Sequence, residues 1–111
     1  MDTTQSTKNV DAQVVVLIDK LTVPSAAKEE FQERLKINRD LLKTLPGFIK
    51  DAIYEWPDGQ GDLIYITVAV WRNEEAVENA KHAVQAEYQK EGFDLQAMLK
   101  RLHISMERGI Y

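Results

Sequence analysis

Four side chains stand out as able to do chemistry on a small molecule: Asn38 and Asp19, each set in an otherwise apolar pattern, and the aromatic pair Tyr65 and Trp71. In the run DLIYITVAVW, side chains alternate between two faces, placing Leu63, Tyr65, Thr67, Ala69 and Trp71 together and Ile64, Ile66, Val68 and Val70 opposite. The first face mixes aromatics, a hydroxyl and a small residue. With Leu17 and Leu35 alongside, Tyr65, Ala69 and Trp71 make a pocket for a flat aromatic ring. Asn38, Thr67, Tyr65 and Asp19 are the polar groups to meet its oxygens, and Asp19 is the candidate general base, provided burial raises its pKa. Each also has a structural reading: Trp71 as core filler, Tyr65 with its hydroxyl in water, Asn38 bonded to a neighbouring backbone, Thr67 as a strand former, Asp19 ion-paired. His82 falls opposite the apolar stripe of its helix, and His103 can reach either face of the last strand. Two histidines without clustered carboxylates or cysteines do not make a metal site.

The elements that must position these residues can be read along the chain. Residues 1–12 are polar and predict a flexible arm ahead of one domain at 13–111. Gln13 to Val23 is the first strand, with Val15, Leu17, Asp19 and Leu21 on one face and Val14, Val16, Ile18 and Lys20 on the other. Ser25 is the expected N-cap of a helix whose stripe is Ala27, Phe31, Leu35, Asn38, Leu42 and Leu45, ended by Pro46-Gly47. Phe48 to Trp56 is a second strand, joined to the third through the turn Pro57 to Gly61. Asn73 caps the second long helix, whose buried stripe is Ala76, Val77, Ala80, Ala83, Val84 and Tyr88, and Gly92 ends it. Asp94 opens a short helix, with Phe93 and Met98 at staple spacing, and Leu102 to Tyr111 is the last strand. The order β-α-β-β-α-β predicts an α+β, ferredoxin-like fold: a four-stranded antiparallel sheet with both long helices on one face.

Composition narrows the function classes. With 111 residues the chain suffices for one domain and a real core. Cysteine is absent, which excludes disulfides and thiolate chemistry. Net charge −4 with scattered basic residues argues against nucleic acid as a partner. The longest apolar run, Val14 to Ile18, is far short of the ~20 residues that cross a bilayer, and the start lacks the apolar core of a signal peptide; the default location is cytoplasmic. Helices on one face would leave Val14, Val16, Ile18, Ile64, Ile66, Val68 and Val70 exposed on the other, a patch larger than soluble monomers tolerate. The expectation is a homodimer joined sheet to sheet.

The order of elements, the Pro-Gly after the first helix and the strand ending VAVWRNEEAVENA resemble the antibiotic-biosynthesis-monooxygenase family of dimeric α+β barrels, over residues 13–111. The resemblance implies either a cofactor-independent oxygenase turning phenolic, quinol or polycyclic aromatic compounds into quinones, or a non-catalytic, ligand-binding or stress-associated dimer of the same fold. An oxygenase of this kind needs no metal or flavin, because the substrate anion can itself reduce dioxygen. In the anthrone-oxygenase type, an Asn stands four positions before the strand Trp and a Tyr six after it; here Trp71 is kept and those positions hold Thr67 and Val77. The residues expected of the haem-degrading type are replaced by Asp19, Ala80 and Lys90, so the resemblance implies no haem.

Overall fold

A computed structural model describes residues 13–111; the expected arm at 1–12 lies outside the described residues. Four strands, β1 (Val15–Pro24), β2 (Phe48–Pro57), β3 (Asp62–Trp71) and β4 (Ser105–Ile110), form one antiparallel sheet in the order β2-β3-β1-β4. The helices are α1 (Lys28–Leu42), α2 (Glu74–Glu91) and α3 (Leu95–Arg101). This is the ferredoxin-like α+β fold, with the two central strands supplying the longest apolar runs because they are paired on both sides.

The β1–β3 register sets Leu17 opposite Ala69, Asp19 opposite Thr67 and Val15 opposite Trp71, so the odd-numbered side chains of both strands share the helix-covered face. That face carries two separate core clusters. One joins Leu21, Val23 and Tyr65 to Ala27 and Phe31 beside α1 and to Leu99 and Ile104. The other joins Val15 and Trp71 to Ala76, Val77 and Ala80 of α2. Phe31 is large enough to close over Tyr65, whereas α2 presents small side chains to the middle of the sheet. A space therefore remains between the clusters.

Local chemistry accounts for the helix ends. Asn73 accepts from the Ala76 N–H at 2.8 Å and Asp94 from the Ala97 N–H at 3.1 Å, as their positions predict. Ser25 does not cap α1: it opens a single 3-10 turn, Ser25–Ala27, and its hydroxyl donates to the Gly61 carbonyl at 2.8 Å. It ties β1 to the β2–β3 turn instead, and Ala27 stands at the start of α1 without a side-chain cap. The last strand starts later than expected. Leu102 ends α3, His103 takes φ 59°, and the N–H groups of His103 and Ile104 bond the carbonyls of Lys100 and Leu99, which is a Schellman closure.

Candidate functional site

Between the two clusters lies a cavity of about 450 Å³, roofed by α1 and α2 and floored by β1 and β3. Of the residues read from sequence as the site, Leu17, Asp19, Leu35, Asn38, Thr67, Ala69 and Trp71 line it. Tyr65 does not. It is 1% exposed, stacks edge-on against Phe31 at 4.8 Å and accepts from Gln32 Nε2 at 3.0 Å, beside a separate, shallower cleft between α1 and β2. Burial pushes its phenol above the ordinary value, with the Gln32 bond acting in the opposite direction.

Trp71 is equally buried, at 1%, and packs edge-on to Phe48 at 5.5 Å. Its indole Nε1 has no hydrogen-bond partner among the described residues, and neither has the buried Oδ1 of Asn38. Buried polar atoms are nearly always paired, and leaving one unpaired costs about 1–3 kcal/mol. Both exceptions belong to residues that line the cavity, Trp71 from the β3 floor and Asn38 from the α1 roof.

Asp19 is held by Arg108 of β4. The guanidinium donates through Nε at 2.7 Å and Nη2 at 2.9 Å, one bond to each carboxylate oxygen, and the Arg108 pKa is raised by that pairing. The Asp19 side chain is only 15% exposed, yet it has a cation across the strand pair and both oxygens are engaged. Each oxygen keeps a second lone pair, but the bidentate guanidinium fixes how the carboxylate is turned. The geometry therefore gives Asp19 the ion-paired reading, with Arg108 as the group it orients.

Sequence reasoning passed over Arg108 and did not give Tyr88 a part in the site, although both line the cavity. Arg108 falls opposite Asp19 in the β1–β4 register, a pairing that strand order alone would reveal. Tyr88 closes the α2 wall, packed edge-on to Phe93 at 5.0 Å, with the Arg34 guanidinium 3.6 Å over the Phe93 ring. Burial raises the Tyr88 phenol; the nearby Asn38 amide lowers it, without making a hydrogen bond of standard geometry, and so do the charges of Arg34 and Arg108. A second pair, Arg39 to Asp51, sits at the opposite rim at 2.6 and 3.2 Å and holds the Asp51 carboxyl below its usual range.

His82 and His103 are exposed, and no group of His, Cys, Asp and Glu among the described residues is placed to hold a metal ion. No helix among the described residues is long and apolar enough to cross a membrane. The arrangement can bind an apolar, planar ligand and offer hydrogen-bonding groups to its edge.

Comparison with known proteins bears on the fold and the family. A variant of SnoaB, a cofactor-independent oxygenase from Streptomyces nogalater, superposes with a TM-score of 0.68 at 22% identity, covering 90% of this chain and 92% of that one. A conserved protein from Methanosarcina mazei gives 0.68 at 18%, covering 90% and 92%. A heme-degrading protein from Mycobacterium tuberculosis gives 0.52 at 25%, covering 62% and 78%. No curated protein matches the chain. The likeness to SnoaB shows the shared fold, and the model of antibiotic biosynthesis monooxygenases matches residues 14–91, well over half the length. By that match, the chain belongs to the antibiotic biosynthesis monooxygenase family.

Proposed function

We propose that this protein is a cofactor-independent monooxygenase that takes an electron-rich aromatic, a phenol, quinol or polycyclic hydroxyaromatic, into the cavity between the two core clusters. The observation that carries the reading is the coincidence of an apolar cavity of about 450 Å³ with two lining residues that each hold an unpaired polar atom, Trp71 Nε1 from the floor and Asn38 Oδ1 from the roof. Both atoms are buried, so a turn of either side chain into the cavity is what would bring a donor, from Trp71, or an acceptor, from Asn38, to a ring hydroxyl or carbonyl. Leu17, Leu35 and Ala69 supply apolar contact, and Thr67 a further hydroxyl, to hold the ring in place. The net reaction turns a ring C–H para to a hydroxyl into a carbonyl with one atom of dioxygen; the hydrogens of that carbon and of the hydroxyl leave with the second oxygen atom as water, and the substrate supplies the electrons.

Oxygen uptake with a panel of quinols and anthrones tests this, comparing the wild type with Asn38→Ala and Trp71→Phe. Uptake that both substitutions reduce by tenfold or more is expected; uptake indifferent to both removes the site. One observation favours a second reading, a binding protein without turnover: Asp19 is already engaged by Arg108. Saturable binding of an aromatic with no oxygen uptake would establish that reading instead.

We also propose that two copies associate through the outer sheet face. Of the seven aliphatics expected to be exposed there, Val14 is, Val16, Ile18, Ile66, Val68 and Val70 are half-buried, and Ile64 is buried; the face also carries Tyr54, 58% exposed, Trp56, 46%, and Tyr111, 73%, which lies over Gly109. Burying such a face at about 25 cal/mol per Å² offsets the costs of association. Light scattering at micromolar concentration should give twice the chain mass, and a stable monomer would refute the dimer.

A further inference from the structure

We propose that the Arg108 end of the cavity is a carboxylate subsite, so that the aromatic ligand of this protein is an aryl carboxylate. The inference rests on the reading of the cavity as an aromatic site and adds the chemical group that this chain would select on the ring.

The argument begins with the edges of the guanidinium. Arginine offers five N–H donors in a flat fork, and a carboxylate can occupy one edge of it at a time. Asp19 takes the edge formed by Nε and Nη2. The other edge, Nη1 with the outer N–H of Nη2, has no partner among the described residues, and the Arg108 side chain remains 43% exposed in a residue that lines the cavity. Asp19 is the positioning residue: bonded through both oxygens and fixed on the central strand β1, it leaves the guanidinium little freedom to turn. Two parallel charge-assisted N–H groups match a carboxylate better than a lone hydroxyl, which can use only one of them.

Among the other cations of the wall, Arg39 is held by Asp51 through Nε and Nη2 as Arg108 is by Asp19. Arg34 lies over the Phe93 ring and bonds Glu91 at 3.1 Å, and Lys81 pairs with Glu78 on the outside of α2. Arg39 also borders the shallower cleft, beside Lys36, Asp40 and Lys43. Arg108 shares the cavity lining with Tyr88, whose phenol is a group able to donate to a carboxylate oxygen. The apolar stretch of Leu17, Ala69 and Trp71 supplies the surface for the ring.

Calorimetric titration with a naphthol, the corresponding hydroxynaphthoate and its neutral carboxamide tests the proposal. The carboxylate is expected to bind about tenfold to a hundredfold more tightly than the carboxamide, the ratio expected of a charge-assisted pair. Removing Arg108 alone would strand Asp19 as a repelling charge, so the decisive variant is the double substitution Asp19→Asn with Arg108→Met. It should bring carboxylate and carboxamide to equal affinity. Equal affinities in the wild type, or a preference that survives the double variant, overturn the carboxylate subsite while leaving the aromatic cavity standing. Failure of all three compounds to bind overturns both.

Discussion

Tyr65 and Trp71 lie six residues apart on one face of β3, and both are 1% exposed, yet they have come to opposite ends. Tyr65 is closed in. Phe31 covers its ring, and Gln32 satisfies its hydroxyl. Trp71 has small neighbours on α2, an N–H with no partner, and a cavity at its side. The period of a strand fixes which face a side chain takes, while the side chains of the covering helix decide whether that face is packed or left open. A site forms where the helix is lined with small residues.

Truncating either aromatic should break the contrast by brute force. Trp71→Ala and Tyr65→Ala each remove a fully buried ring, and each should cost about 3–5 kcal/mol in urea unfolding. The gentler pair is more telling. Tyr65→Phe should cost about 1 kcal/mol, the worth of its bond from Gln32, and leave the affinity for an aromatic ligand unchanged. Trp71→Phe sheds an unpaired donor, so stability should fall less than loss of ring area alone implies, while ligand affinity drops. Equal effects of Tyr65→Phe and Trp71→Phe on binding would erase the distinction between the two ends.

Gly47 offers a way to disturb the open half from behind. Its φ is +84°, and a Cβ there would run into the Cβ of Ala76, which belongs to the Trp71 cluster. Gly47→Ala should cost about 2–4 kcal/mol, combining left-handed strain with overpacking. A loss below about 1 kcal/mol would show that α2 can retreat from the sheet, and that its distance from Trp71 does not limit the cavity.

The alternation of DLIYITVAVW made the sheet and its two faces legible, and the caps at Asn73 and Asp94 marked two helix starts. The candidate pocket was legible in part. Leu17, Thr67, Ala69 and Trp71 could be grouped because they share two paired strands, and Asn38 because an amide in an apolar stripe must face something unusual. Tyr65 was misleading as a ring-binding residue because the strand pattern does not contain Phe31, which closes over it from another element. Ser25 has the chemistry of a cap, but the Gly61 carbonyl, brought close by the β2–β3 turn, takes its hydroxyl. Asp19 reads from sequence both as a candidate base and as an ion-paired carboxylate; its cation, Arg108, stands 89 residues away, and only the pairing of β1 with β4 joins them.

The Arg39–Asp51 pair adds a pH test at the rim of the cavity. Because Arg39 lowers the pKa of Asp51 when folded, the pair contributes in full above the ordinary carboxylate value of 3.8 and loses its contribution as pH falls through the depressed one. Stability should therefore decline more steeply below about pH 4 in the wild type than in Arg39→Met, since the variant has no shift left to lose. Parallel acid profiles would mean that solvent screens the pair completely.

The smallest change belongs to the closed half. His103 holds φ 59° two residues past Arg101, the end of α3, a conformation that favours glycine, and its neighbours Leu99 and Ile104 are part of the Tyr65 cluster. His103→Gly should raise stability by about 0.5–1 kcal/mol, seen as a rise of a few degrees in Tm. Because the closure lies at the packed end of the sheet, ligand affinity should not change. A gain in stability accompanied by altered binding would mean that the two clusters communicate across the cavity, and that the packed end helps to set the width of the open one.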